Sequence, residues 1–146
     1  GFPSDSRFNS NQNKYLELEN MITSKVQPPK HGNFALDTTG SVIYLSESTL
    51  TRLRDLFLIV HLEASDDLLQ IMTDNYFNTP KPVIWGDAYQ PLETENSMQT
   101  LRRCYPNLLS YRRSKYQQLA HITIPAKLSL ARDFSCHAFL NAIADA

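Results

Sequence analysis

A carboxylate, a run of small hydroxylated residues and a guanidinium are the side chains here whose types and spacing fit them for chemistry. Asp37 ends the apolar run Phe34-Ala35-Leu36 and is followed by Thr38, Thr39, Gly40 and Ser41 before a second apolar run, Val42 to Leu45. An aspartate at a chain reversal can hold a magnesium-bound water or take a proton from a substrate hydroxyl. The same residue types also make ordinary turns and cap the segments that follow them. Further along, Leu109, Arg112, Tyr116 and Leu119 recur at helical spacing, which puts Arg112 on an apolar stripe and turns Arg113 about a quarter of the way round. A guanidinium on a core-facing stripe needs an anionic partner, either a protein carboxylate or a ligand phosphate.

Those side chains need elements to hold them. The helical pattern Tyr15, Leu18, Met21, Ile22 is broken by Pro28-Pro29 and Gly32. A strand is expected over 33–36, with Asp37 at its carboxyl end. Ser46 caps a helix carrying Leu50, Leu53 and Phe57 on one face. The unbroken apolar run Leu56 to Leu62 predicts a strand buried on both faces, as parallel sheets require. Ser65 with Asp66 and Asp67 starts another helix, since a hydroxyl cap and acidic first turn suit its unpaired amides. Residues 77–97, "FNTPKPVIWGDAYQPLETENS", are punctuated by prolines and polar groups and predict part loop and part short helix. Leu108 to Ala120 is helical, 121–124 a short strand, and Asp133 to Ala144 a closing helix. The alternation predicts an α/β fold with a parallel sheet, in which ligands sit beyond the carboxyl ends of the strands.

Composition sets the class. The chain has 146 residues, 42% hydrophobic and 20% charged, which suits one globular domain with a real core. A net charge of −1 gives no global pull toward nucleic acid or an anionic membrane. No apolar stretch approaches the roughly 18 residues of a membrane span, no signal peptide is visible, and a cytoplasmic location is the default expectation. Cys104 and Cys136 form no C-x-x-C pair, and the four histidines show no metal spacing. His61, inside the apolar run, is expected to be a satisfied core histidine. Residues 1–14 are polar and read as a lead-in, with further chain expected upstream. Nothing in the sequence sets the oligomeric state.

Four stretches, in order, resemble the shikimate kinase family of P-loop small-molecule kinases, from about Lys14 to the C-terminus. "YLELE" (15–19) resembles the family's F-R-x-x-E helix. "FALDTTGSVIYL" resembles its strand ending in A-T-G-G-G, and "FLIVHLEASDDLL" the V-V-Y-L-x-x-S-x-E-x-L segment after it. "NTPKPVI" (78–84) resembles the N-T-x-R-P-L-L of the mobile lid, and "LLSYRRSKYQQLAHITI" the L-L-x-x-R-x-P-L-Y-x-x-x-A-D-I-x-V segment.

The resemblance implies a three-layer parallel-sheet P-loop kinase fold, with residues 15–146 as its C-terminal portion and about 78–105 as lid and insertion. It implies ATP and Mg2+ as cofactors and a small-molecule acceptor. Lys81 falls where the lid arginine reaches the transferred phosphate, and Arg112 on an arginine that contacts the acidic substrate near the phosphoryl group. Thr39, Gly40 and Ser41 fall on the glycine triplet that lets substrate approach the backbone. Lys127 to Arg132 match, by position, the region that cradles the adenine. Trp85 and Tyr89 follow the lid motif, where they pack it shut or stack on a base.

The departures are as informative. Leu16 replaces the arginine of F-R-x-x-E, Thr39 and Ser41 replace two glycines, and the segment from Lys81 to Arg112 is longer than the family's. These argue against shikimate as acceptor. No G-x-x-x-x-G-K-[ST] occurs, and glycines 1, 32, 40 and 86 cannot form one. The family's phosphate loop and a central strand lie upstream of the matched region, so a gap is expected between the Phe34 and Leu58 segments. Phosphoryl transfer to a small hydroxylated metabolite other than shikimate is one expectation, with this chain inactive alone. A non-catalytic nucleotide-binding or scaffold domain derived from the kinase fold is the other.

Overall fold

A computed structural model describes residues 2–146. Helix α1 spans Phe8–Thr23, α2 Glu47–Leu56, α3 Asp66–Asn78, α4 Ser97–Leu119 and α5 Cys136–Ala144. Strand β1 is Val60–Glu63 and β2 is Ile122–Pro125, with short 3-10 turns at Val42–Tyr44 and Ala126–Leu130. The molecule is mixed α/β, 54% helical, with a small parallel sheet. Among the described residues that sheet has two strands, in register Val60 opposite Ile122 through Glu63 opposite Pro125.

The helix starts follow local side-chain chemistry. Ser46 Oγ accepts from the Thr49 amide and Ser65 Oγ from the Leu68 amide, satisfying N–H groups that have no partner within the helix. At α4 the cap is reciprocal: Asn96 accepts from the Gln99 amide at 3.0 Å and the Gln99 side chain accepts from the Asn96 amide at 2.9 Å. This box starts α4 at Ser97, not at Leu108, and the helix runs through Pro106. An interior proline costs about 3 kcal/mol, and here the burial of Leu101, Cys104, Tyr105 and Leu108 on the same helix outweighs it.

Two apolar clusters meet along α4. One joins Phe8, Tyr76, Trp85, Leu101, Cys104, Tyr105 and Leu108. The other joins Val42, Ile43, Leu45 and Leu53, with Tyr116 and Leu119 packed against it. Phe8 corrects the polar lead-in, since α1 begins there and the side chain is only 6% exposed. Trp85 is 1% exposed amid Tyr76, Tyr89 and Tyr105, so its ring is core and has no face to offer a base.

Two strand expectations change. Residues 33–36 form no strand and make no backbone hydrogen bonds to other backbone groups. Asp37 therefore follows an extended stretch and not a strand end. The apolar run after α2 enters the sheet only at Val60, and Leu58 and Leu62 are exposed. Both segments line one large cleft, to which residues 34–40 and 57–62 contribute.

Candidate functional site

Helix α1 carries both banks of a small cavity of about 400 Å3. On one side, Gln12 Oε1 accepts from the backbone amides of Trp85 (2.8 Å) and Gly86 (3.1 Å), holding residues 82–86 against the helix. On the other, Glu19 accepts from the hydroxyls of Thr39 and Ser41, the latter at 2.6 Å. The next residue, Asn20, accepts from the Ser46 amide and hydroxyl, both at 3.0 Å. Phe8, Asn11 and Tyr15 from α1, the 39–41 floor, the 82–84 wall and Arg112 line the space between.

Arg112 closes the cavity from α4. Its Nη2 donates to the Ile84 carbonyl at 2.6 Å, and the guanidinium stands 5.9 Å from the Tyr44 ring centre. Its Nε is buried and has no hydrogen-bond partner among the described residues. No carboxylate lies within ion-pair distance of Arg112 among them. Of the two partners expected for a guanidinium on that stripe, the protein carboxylate is not there. That leaves the ligand: Arg112 lines the small cavity, so its charge is placed to meet an anion there.

Gly40 lies in a crowded spot between two side chains of α4. A Cβ there would stand 3.2 Å from the Tyr116 hydroxyl and 3.4 Å from Arg112 Nη1. The Tyr116 hydroxyl donates to the Gly40 carbonyl at 2.6 Å, which fixes the floor from below. Burial pushes that hydroxyl's pKa up, against the opposing pull of Arg112, so it stays a donor.

Thr39, Gly40 and Arg112 line the small cavity and also the large cleft, of about 860 Å3. The cleft is mostly apolar, walled by residues such as Phe34, Leu62, Met72 and Leu140, with Asp37, His61 and Arg113 among its polar groups. His61 departs from expectation: its Nδ1 is buried without a partner, beside the Tyr116 ring. Burial lowers its pKa, Glu63 opposes this and Arg113 adds to it.

The structure thus brings Asp37, Thr39, Gly40, Ser41 and Arg112 to two cavities that share Thr39, Gly40 and Arg112 in their linings. It does not bring in Lys81, Lys127 or Arg132, which are exposed and line neither. Lys81 is adjacent to Pro82 of the small cavity, and Lys127 to Ala126 of the cleft. No group of three or more His, Cys, Asp or Glu placed to hold a metal occurs among the described residues. Arg113 is no bystander: it pairs with Glu63 at 3.1 Å and Asp66 at 3.0 Å, tying α4 to β1 and α3. Arg113, together with the Gln117 side-chain amide that donates at 2.6 Å, holds the Glu63 carboxyl below the usual range.

Sequence reasoning passed over Glu19, Gln12 and Tyr116. Glu19 was visible as the last residue of "YLELE", one helical turn beyond Tyr15. Gln12 carried no signal, because its role comes from a contact with residues far along the chain. No helix among the described residues is long and apolar enough to cross a membrane. Comparison with known proteins finds no matching family model, no matching curated protein and no matching solved structure.

Proposed function

We propose that residues 1–146 form the acceptor side and central cleft of an ATP-dependent small-molecule kinase of the shikimate kinase-like, three-layer P-loop type. The reaction is phosphoryl transfer to a small hydroxylated metabolite other than shikimate. The observation that carries this reading is the sharing of Arg112, Thr39 and Gly40 by two cavities. Phosphoryl transfer is mostly positioning and charge neutralisation, so a cation at the junction of an acceptor pocket and a donor cleft is what the chemistry needs.

In this reading the small cavity holds the acceptor and the large cleft takes the phosphate-binding loop and its strand, supplied from outside residues 1–146. Residues of β1 and of the extended stretch before Asp37 both line this cleft. Arg112 steadies the transferred group through the guanidinium charge it brings to both cavities, while the Ile84 carbonyl fixes the plane of the guanidinium. Asp37, an exposed carboxylate on the cleft bank, fits magnesium, which is usually held by one or two carboxylates together with substrate phosphates. When bound, the metal neutralises phosphate charge. Lys81 would approach the phosphate from the wall beside Pro82, and Lys127 and Arg132 the adenine.

The missing G-x-x-x-x-G-K-[ST] favours a second reading, a nucleotide-binding or scaffold domain without catalysis. Acceptor-dependent release of ADP, measured across a metabolite library with the full-length protein, ATP and Mg2+, separates the two. The kinase reading expects turnover with at least one hydroxylated acceptor, none with shikimate, and a roughly thirty- to thousand-fold loss in Arg112→Ala. Saturable ATP binding with no acceptor-dependent turnover would support the scaffold reading instead.

A further inference from the structure

The floor of the small cavity has a hydrogen-bond polarity of its own. Thr39 Oγ1 and Ser41 Oγ lie 2.8 Å apart, and both contact Glu19. Each hydroxyl has one hydrogen, and a carboxylate only accepts. With both hydrogens directed to Glu19, the two oxygens keep only lone pairs for anything in the cavity. The Ser41 amide also turns toward Thr39 Oγ1, at 3.3 Å, and away from the space above.

The facing groups are donors. Arg112 brings a guanidinium to the lining, and Gln12, whose Oε1 is occupied by two backbone amides, has its NH2 left to offer. The cavity therefore pairs a cationic, donating wall with an accepting floor.

We infer that Glu19 determines specificity: by taking both hydroxyl hydrogens it makes the 39–41 floor an acceptor, so the cavity selects small anions that also present a hydroxyl donor. This rests on the cavity being the acceptor site. Glu19 is a positioning residue, since it lies behind the floor and acts through Thr39 and Ser41. Without those hydroxyls it has nothing to polarise.

The test compares 3-hydroxybenzoate with 3-methoxybenzoate, two anions that differ in whether the ring oxygen can donate. Binding is followed through the amide resonances of Gly40 and Ser41. The hydroxy compound is expected to bind about tenfold more tightly, as one net hydrogen bond provides. In Glu19→Gln the side-chain amide can donate, the floor hydroxyls turn, and the preference is expected to fall to near one. Thr39→Val/Ser41→Ala, which keeps Glu19, is expected to lose the preference as well and stands in if Glu19→Gln folds poorly. Equal binding of both compounds to the unaltered chain, binding of neither, or a preference that survives the floor variant would overturn the inference. A parallel titration with inorganic phosphate keeps the two proposals apart. Phosphate binding without hydroxy/methoxy discrimination removes only the role of Glu19, and discrimination without phosphate binding removes only the kinase reading.

Discussion

Replacing Arg112 by methionine separates a ligand-binding guanidinium from a structural one. Methionine retains most of the apolar stem, so packing along α4 is preserved. What is lost is the charge-assisted bond to the Ile84 carbonyl at 2.6 Å and a contact with the Tyr44 ring at 5.9 Å. A hydrogen bond to a charged group is worth about 1.5–3 kcal/mol. What is relieved is the buried Nε–H with no partner, a penalty of about 1–3 kcal/mol. The two nearly offset, so the net destabilisation should be about 1 kcal/mol. A guanidinium paired with a buried carboxylate would behave differently, because its removal strands the acid and costs about 3–5 kcal/mol. Urea denaturation reads the first quantity and calorimetric titration of inorganic phosphate the second. Phosphate affinity should fall by roughly ten- to a hundredfold, as loss of a charged contact worth about 1.5–3 kcal/mol requires. Lys115→Ala, on the same helix but lining neither cavity, should change neither. A variant destabilised by more than about 3 kcal/mol that still binds phosphate normally would refute the reasoning.

Gly86→Ala should destabilise the fold by about 1–3 kcal/mol in urea denaturation, because the residue has φ +54° and a Cβ would stand 2.8 Å from Tyr44 Cε1. Stability should also fall on acidification below about pH 6.5, where unfolded histidine takes up a proton that buried His61 resists. With the folded pKa depressed, the unfolded chain binds more protons in that window, so stability rises with pH through it. His61→Phe should flatten that part of the pH profile, while the loss from the depressed Glu63 carboxyl stays at more acidic pH.

Local chemistry made much of the fold legible. The Ser46 and Ser65 caps, the helices after them and a strand at 121–124, found one residue later at Ile122–Pro125, follow from hydroxyl placement and apolar spacing. The start of α4 was legible in principle, in Asn96 and Gln99, but Pro106 argued locally for a later beginning that tertiary burial overrode. The strand at 33–36 failed because a strand is a property of pairs, and apolar spacing says nothing about whether a neighbour exists. At the site, Asp37, the 39–41 floor and Arg112 were readable as chemistry-bearing types. Their convergence was not: Glu19 with Ser41, Gln12 with Trp85, and Tyr116 with Gly40 are contacts across long sequence separations. The partners of Arg113 were hidden for the same reason, since its acids lie on β1 and at the start of α3.

The central claim is that Arg112, at the meeting of the two cavities, is an anion site. Side-chain Nε–H resonances of the arginines, followed during a phosphate titration of this chain, test it most directly. The account predicts a saturable shift of the Arg112 Nε–H together with the Gly40 amide, while Arg113, held by Glu63 and Asp66, stays in place. An Arg112 resonance that does not move, or arginine resonances that all drift together without saturating, would contradict it.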